Sequence, residues 1–266
     1  MKKVTSADGT AIAFDELGDG PPVILVGGAT CDRAMTRPLA EQLAGRFTVL
    51  NFDRRGRGDS GDTAPYAIER ELEDLGALIA AAGGSASVYG HSSGAGLALH
   101  AAAQGLPIEK VVLHDPPYNP EDQEQKRVAR EYAERLRAAV AEDRRGDALE
   151  LFFALVGMPQ EMIDGLRQSP RWAELEALAH TLAYDSEVMG DSSTGGAVPR
   201  DLLPRVTSEA LVLVGEQSPR FMIDIGRQIA DGMRHGQLRV LAGEEHVVAP
   251  EVLAPALADF LVGGIA

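Results

Sequence analysis

The segment Gly90-His91-Ser92-Ser93-Gly94 places a serine between two glycines. It follows a short β-type run, Ser87–Tyr89, and precedes a run of small apolar residues from Leu97 to Ala103. A serine on a sharp strand-to-helix turn presents its hydroxyl above a sheet, and glycines two residues away on each side let neighbouring chain approach without Cβ clashes. The chemistry this suits is nucleophilic attack. A serine hydroxyl is a weak nucleophile, so a base must stand beside it. Six histidines are available. His246, in Glu244-Glu245-His246-Val247-Val248, lies after the last strand-like run and before the last helical one. Sites in a doubly wound sheet form at the carboxyl ends of the strands, which makes His246 the expected general base. His91 adjoins the serine, but its side chain should diverge from it. His100 lies about two helical turns on, His180 and His235 are read as helical, and His114 closes a strand beside Asp115.

An acid that orients the imidazole should follow a strand and precede the histidine in the chain. The stretch Leu211-Val212-Leu213-Val214-Gly215-Glu216-Gln217-Ser218 holds Glu216 but no aspartate. Asp115, ending Val111-Val112-Leu113-His114-Asp115, is the other candidate, one strand closer to Ser92. Followed by Pro116 and Pro117, it is equally a residue that ends a strand in a turn. The residues alone leave both acids open.

The elements that must position these groups are legible as alternating runs. Ala11–Phe14, Val23–Val26, Phe47–Phe52, Ser87–Tyr89, Lys110–Leu113, Ala210–Val214 and Leu238–Leu241 are short, mostly continuously apolar, and bounded by Gly, Pro or Asp. Continuous rather than alternating apolarity predicts strands buried on both faces of a parallel sheet. Helical spacing appears in Ile68-Leu72-Leu75-Ile79 ahead of Gly83-Gly84, in Leu97–Ala103, in Phe221–Met233 and in Val252–Leu261. Alternation of the two types predicts an α/β fold with right-handed crossovers. From about 120 to 199 the alternation stops. This stretch reads as helices only: a charged, solvated Glu121–Arg145, then Leu149–Val156, Gln160–Gln168 and Arg171–Tyr184, closed by Gly195-Gly196 and Pro199.

With these motifs in place, the chain resembles the α/β-hydrolase fold family over nearly its whole length. Val23–Gly28 resembles the family's strand ending in an oxyanion loop, and Phe52-Asp53-Arg54-Arg55-Gly56-Arg57-Gly58-Asp59-Ser60 resembles its D-x-R-G-x-G-x-S turn. The serine turn, the helical insertion and Glu245-His246 match as well. The resemblance implies a mostly parallel, eight-stranded doubly wound sheet, with residues 1–119 and 200–266 as the core and 120–199 as an inserted helical lid. In this family the acid commonly stands two residues after the Gly-Glu that follows the penultimate strand. That position here is Ser218, a departure. Some members, including haloalkane dehalogenases and zearalenone-type lactonases, carry the acid after the preceding strand, where Asp115 stands. The implied triad is Ser92–Asp115–His246, with Glu216 as the rival acid. The implied oxyanion hole uses the backbone N–H groups of Ser93 and, by position, Ala29; Gly27-Gly28 replaces the family's usual His-Gly, which bears on loop orientation. Gly28, Thr30, Tyr118, Phe153, Met158, Trp172 and Val247 are the expected substrate-binding residues. Asp53 and the arginines after it are expected to shape a turn.

Composition narrows the partners. Apolar residues make up 45% and charged residues 24% of the 266, as in ordinary globular chains, while the formal net charge of −15 disfavours nucleic acid. One cysteine, Cys31, permits no intrachain disulfide, no signal peptide or membrane-spanning run is apparent, and a cytoplasmic location is expected. No phosphate loop, dinucleotide motif or metal-ligand spacing is present, so neither cofactor nor metal is expected. The expected activity is cleavage of an ester or lactone of a small to medium apolar substrate through an acyl-enzyme. A C–C hydrolase, cyclase or cofactor-free peroxidase-like enzyme, and a ligand-binding relative without turnover, are the alternatives. The serine nucleophile argues against the dehalogenases and epoxide hydrolases of this fold, which attack with a carboxylate.

Overall fold

The computed structural model describes residues 1–263; the last three residues of the expected core range, 264–266, lie outside it. The elements in chain order are β1 (Lys2–Thr5), β2 (Ala11–Leu17), β3 (Pro22–Val26), α1 (Arg33–Leu43), β4 (Thr48–Phe52), α2 (Ile68–Ala81), β5 (Ala86–His91), α3 (Ser93–Ala103) and β6 (Ile108–His114). Five helices follow: α4 (Gln123–Ala141), α5 (Arg145–Leu155), α6 (Gln160–Arg167), α7 (Arg171–Leu178) and, after a turn of 3₁₀ helix at Ala179–Thr181, α8 (Leu182–Met189). The chain closes with β7 (Glu209–Gly215), α9 (Arg220–Gly232), β8 (Gly236–Leu241) and α10 (Pro250–Val262).

The eight strands form one sheet in the order β1-β2-β4-β3-β5-β6-β7-β8. β1–β2 and β2–β4 pair antiparallel; every other pair is parallel. Period-2 geometry explains the continuously apolar strands. Ile24, Val26, Val111, Leu113, Val212 and Val214 point to one face, beneath α2, α3 and α9. Val23, Leu25, Val112, Leu211 and Leu213 point to the other, beneath α1 and α10. Each face therefore needs its own apolar set, as a parallel sheet covered on both sides requires.

Three readings need adjustment. The antiparallel edge strand β1, with mostly exposed Lys2, Lys3 and Thr5, escaped the apolar-run criterion. Helix α1 escaped because Pro38 stands inside it; its start is fixed instead by Asp32, whose carboxylate accepts from the Ala34 and Met35 N–H groups. His235 is not helical: it sits in the turn between α9 and β8. The stretch α4–α8 contributes no strand to the sheet and gathers a third apolar cluster around Tyr132, Leu136, Leu149, Phe153, Trp172 and Leu182. Its charged first helix is amphipathic, burying Tyr132 and Leu136 and carrying its ionised side chains outward. Among the described residues no helix is long and apolar enough to cross a membrane.

Candidate active site

Strand β5 runs at the centre of the sheet, and Ser92 follows its last residue as the turn into α3 begins. Ser92 holds φ 55° and ψ −126°, outside the comfortable regions for a side-chain-bearing residue. Its N–H is tied to the His114 carbonyl at 2.9 Å, which pins the turn to the end of β6. Asp115 is the next residue after β6. It also has positive φ, 46°, and its N–H donates to Leu213 O of β7 at 2.8 Å. Thr30, in the loop after β3, is a third, with φ 56°. Among the described residues only four non-glycine residues have positive φ, and three of them meet here. Strained backbone of this kind persists only where the surroundings enforce it.

His246 lies in the loop between β8 and α10, and its Nδ1 stands 3.1 Å from Asp115 Oδ2. The Asp115 side chain is fully buried, whereas His246 is 38% exposed. Two further donors hold the carboxylate: Ser218 Oγ to Oδ2 at 2.9 Å, and Gly215 N–H to Oδ1 at 3.3 Å. Ser218, standing where the family usually has its acid, thus donates to Asp115. Glu216 is exposed and accepts from the Gly243 N–H at 2.8 Å, away from the imidazole. Among the described residues Ser92 Oγ and His246 Nε2 do not share a hydrogen bond in this conformation; such contacts are commonly long until substrate binds.

Behind His246 two more imidazoles stack in a row. The His246 and His91 rings are 4.7 Å apart, and the His91 and His114 rings 4.9 Å. His91 Nε2 bonds the His246 carbonyl at 2.9 Å, tying the loop that carries His246 to the end of β5. Burial, and then the neighbouring His246, lower the His91 pKa from 6.5 to about 4. His114, paired through Nδ1 with Tyr89 Oη at 2.8 Å, is pushed well below the usual range by burial, His91 and His246. Both therefore stay neutral near pH 7, so a proton taken up by His246 meets no second cation beside it.

The loop Gly27-Gly28-Ala29-Thr30 faces Ser92 from the end of β3. A Cβ on Gly28 would lie 2.9 Å from Ser92 Cβ and 3.0 Å from His91 O. One on Gly94 would lie 2.7 Å from Gly27 O. The loop and the serine turn approach this closely only as glycines. Among the described residues neither the Ala29 nor the Ser93 N–H has an acceptor, leaving both donors free beside Ser92.

Sequence reasoning missed what holds this loop. Arg54 and Arg57 are fully buried. Arg57 Nη1 donates to Gly28 O and to Cys31 O, and Arg54 Nη1 to Gly27 O. Both guanidinium groups bind Asp185 of α8, Arg54 at 2.7 Å and Arg57 at 2.9 Å, while Arg54 also forks onto Glu71 at 2.7 Å. Asp185 Oδ1 further accepts from Ser93 Oγ at 2.7 Å. Burial alone would raise the Asp185 pKa; Arg57 and Arg54 outweigh it and hold the carboxylate below its ordinary range. Basic residues in a turn carry no signal that they will be buried, and nothing local marks Asp185.

The expected substrate-binding residues scatter. Gly28 and Thr30 belong to the loop beside Ser92. Phe153 and Trp172 are buried inside the α4–α8 cluster, with Met158 packed against it, and Ala29 meets the same cluster. Tyr118 lies within the main core near Gly96 and Met189, 1% exposed, whereas Val247 is 78% exposed. A cleft of about 400 Å³ between the loop after β3 and α7 is lined by Thr30, Met35, Leu175 and Leu178 with Arg171 and Glu174; neither Ser92 nor His246 lines it.

A sequence profile of the Alpha/beta hydrolase family matches residues 23–256, which takes in the serine turn, Asp115 and His246. The chain belongs to the alpha/beta hydrolase family. An alpha/beta hydrolase from Sphaerobacter thermophilus superposes with TM-score 0.87 at 47% identity, over 98% of this chain and 100% of that one. A thermophilic esterase from Thermogutta terrifontis superposes with TM-score 0.72 at 26% identity, over 98% and 97%. N-formylmaleamate deformylase of Pseudomonas putida is 40% identical over 104 residues, 38% of this chain and 39% of the deformylase. The match to this curated relative thus spans well under half of its length. Family membership fixes the fold; the reaction must be argued from the site.

Proposed function

We propose that the chain is a serine hydrolase that cleaves a carboxylic ester or lactone through an acyl-enzyme. The observation that carries this reading is the Asp115 carboxylate 3.1 Å from His246 Nδ1, beside a serine on a strained turn. Asp115 fixes the tautomer in which Nε2 is free to accept a proton. Ser92 Oγ attacks the acyl carbon as His246 takes its proton. The negative charge on the former carbonyl oxygen is met by the Ala29 and Ser93 N–H groups. Collapse expels the alcohol, protonated by His246. Water, deprotonated by the same base, then releases the acid.

In this reading residues 120–199 act as a lid over Ser92. The contact of Ala29 with the α4–α8 cluster supports it, because the oxyanion loop and the helical segment then share one wall. Gly28, Thr30 and Met158 are the members of the expected pocket that this wall can present to a substrate, and its apolar character favours a small to medium apolar acyl group. A second reading is hydrolysis of an acyl C–N bond. The local 40% identity to a protein named as a deformylase favours it, and the same residues would serve, with an amine in place of the alcohol.

The test is fluorophosphonate labelling of wild type and Ser92→Ala, followed by short p-nitrophenyl esters, lactones and N-formyl amides. Wild type is expected to label and to turn over at least one acyl class; Ser92→Ala should do neither, with its fold unchanged. Labelling of the variant at the wild-type rate would exclude Ser92 as the nucleophile. The ratio of ester to formamide turnover separates the two readings.

A further inference from the structure

The buried Asp185–Arg54–Arg57 cluster makes no contact with Ser92 or His246 in the hydrogen bonds described above, yet each of its groups ends on the walls of the oxyanion hole. In a trans peptide the C=O and the following N–H point in opposite directions within one plane. Gly28 C=O and Ala29 N–H share such a plane. When Arg57 Nη1 binds Gly28 O, it fixes the direction of the Ala29 N–H on the other side of that plane. Arg54 grips the preceding carbonyl, Gly27 O, at 3.3 Å. On the opposite wall, Ser93 N–H stands at the first turn of α3, and the Ser93 hydroxyl is anchored to Asp185 Oδ1 at 2.7 Å. One carboxylate therefore holds both walls: the first through the two arginines, the second through Ser93. It comes from α8, which packs on α2 and α3.

We infer that Asp185 is a positioning residue that sets the separation and direction of the Ala29 and Ser93 N–H groups, so that the helical segment completes the oxyanion hole. This rests on the acyl-transfer reading of Ser92. Preorganised donors act only if they are already aimed where charge develops. A loop of Gly27-Gly28-Ala29-Thr30 cannot aim itself: two glycines confer freedom and the positive φ of Thr30 resists the arrangement. The clamp supplies the missing constraint. It is also electrically closed, with Arg54 and Arg57 against Asp185 and Glu71, so the hole receives direction without a net charge that would bind a carboxylate product.

The experiment uses the full chain as wild type, Ser93→Ala and Asp185→Asn. Each is assayed with p-nitrophenyl acetate and titrated with an alkyl trifluoromethyl ketone. The ketone reads the hole directly: Ser92 Oγ bonds to its carbonyl carbon, the π pair becomes an oxyanion, and His246 takes the hydroxyl proton. Removing one oxyanion donor in a serine protease costs about 10²–10³ in kcat. Loosening both donors through Asp185→Asn is expected to cost about 10², and deleting one anchor through Ser93→Ala about tenfold. KM should change little, and ketone affinity should fall in step with kcat/KM. Melting temperatures and fluorophosphonate titration of active sites accompany each variant. A merely structural role would lower the melting temperature while leaving kcat per titrated site and ketone affinity unmoved. If both variants keep kcat and ketone affinity within twofold of wild type, the inference is overturned. If Asp185→Asn fails to fold, Ser93→Ala decides alone, because it removes a hydroxyl and keeps the backbone donor. A wild type that neither labels nor turns over would instead overturn the serine reading on which the inference stands.

Discussion

Replacing Asp115 by Asn tests the site most sharply, because the surroundings dictate how the amide must lie. Asp115 Oδ1 accepts from the Gly215 N–H, while Oδ2 accepts from Ser218 Oγ and faces His246 Nδ1. If the amide oxygen keeps the Gly215 contact, the NH₂ group faces His246. Nδ1 must then accept, which puts the ring proton on Nε2 and points it at Ser92. In that tautomer the base cannot take the serine proton. The flipped amide would restore the tautomer but set NH₂ against the Gly215 N–H, two donors buried face to face. Leaving a buried donor unmet costs about 1–3 kcal/mol, whereas the unflipped amide only requires the Ser218 hydroxyl to turn and accept from the NH₂ group. The unproductive orientation should dominate. The analogous change in a serine protease lowers kcat about 10⁴-fold. That corresponds to about 5 kcal/mol of transition-state stabilisation, at 1.36 kcal/mol per tenfold. The assay is kcat for the best ester of the panel, with circular dichroism to show that the fold persists. A variant within tenfold of wild-type kcat would refute the tautomer argument. Were Glu216→Gln to lose activity in its place, the acid would be misassigned.

Three other outcomes follow from the same contacts. Ser218→Ala removes one of three donors to a carboxylate that keeps its imidazole; kcat should fall by no more than about tenfold, the equivalent of one hydrogen bond, and Ser218→Asp should not raise kcat above wild type. Gly94→Ala places a Cβ against Val26 O of β3 and 2.7 Å from Gly27 O and pries the serine turn from the oxyanion loop, so steady-state kinetics should show kcat falling at least a hundredfold, and the same backbone clash should lower the melting temperature. The third concerns stability. Burial raises the Asp191 carboxyl from 3.8 to about 7, against a lowering bond from Ser186 and with further raising by Asp185 and Glu187. An acid whose folded pKa is raised burdens the fold only once it ionises. The burden is absent below pH 3.8, grows as pH rises to 7, and is then constant, approaching 4 kcal/mol at about 1.36 kcal/mol per unit. Asp191→Asn should therefore be more stable than wild type at pH 8 and match it near pH 4; urea denaturation at both pH values checks this, and an equal gain at pH 4 would exclude ionisation as the cause.

What the sequence determined by itself was local. Runs such as Val23–Val26 and Leu211–Val214 specified buried strands, because two covered faces demand apolar residues at every position. The motif Gly90–Gly94 specified the serine turn through steric rules that need no distant partner. The absence of strands between 120 and 199 was equally legible from periodicity. What escaped were elements whose local signal is weak or contrary: β1, which has no apolar run, and α1, which carries Pro38 and is started by the Asp32 cap. The tertiary structure alone placed Asp115 rather than Glu216 against His246, since both follow parallel strands and only the ordering of β6 beside β5 brings one within 3.1 Å. It alone put Ser218 on Asp115, and it alone turned Arg54 and Arg57 inward. A guanidinium is buried only where carboxylates meet it. Here those carboxylates come from Glu71, 17 residues from Arg54, and from Asp185, 131 residues from it, a separation that no local pattern can encode.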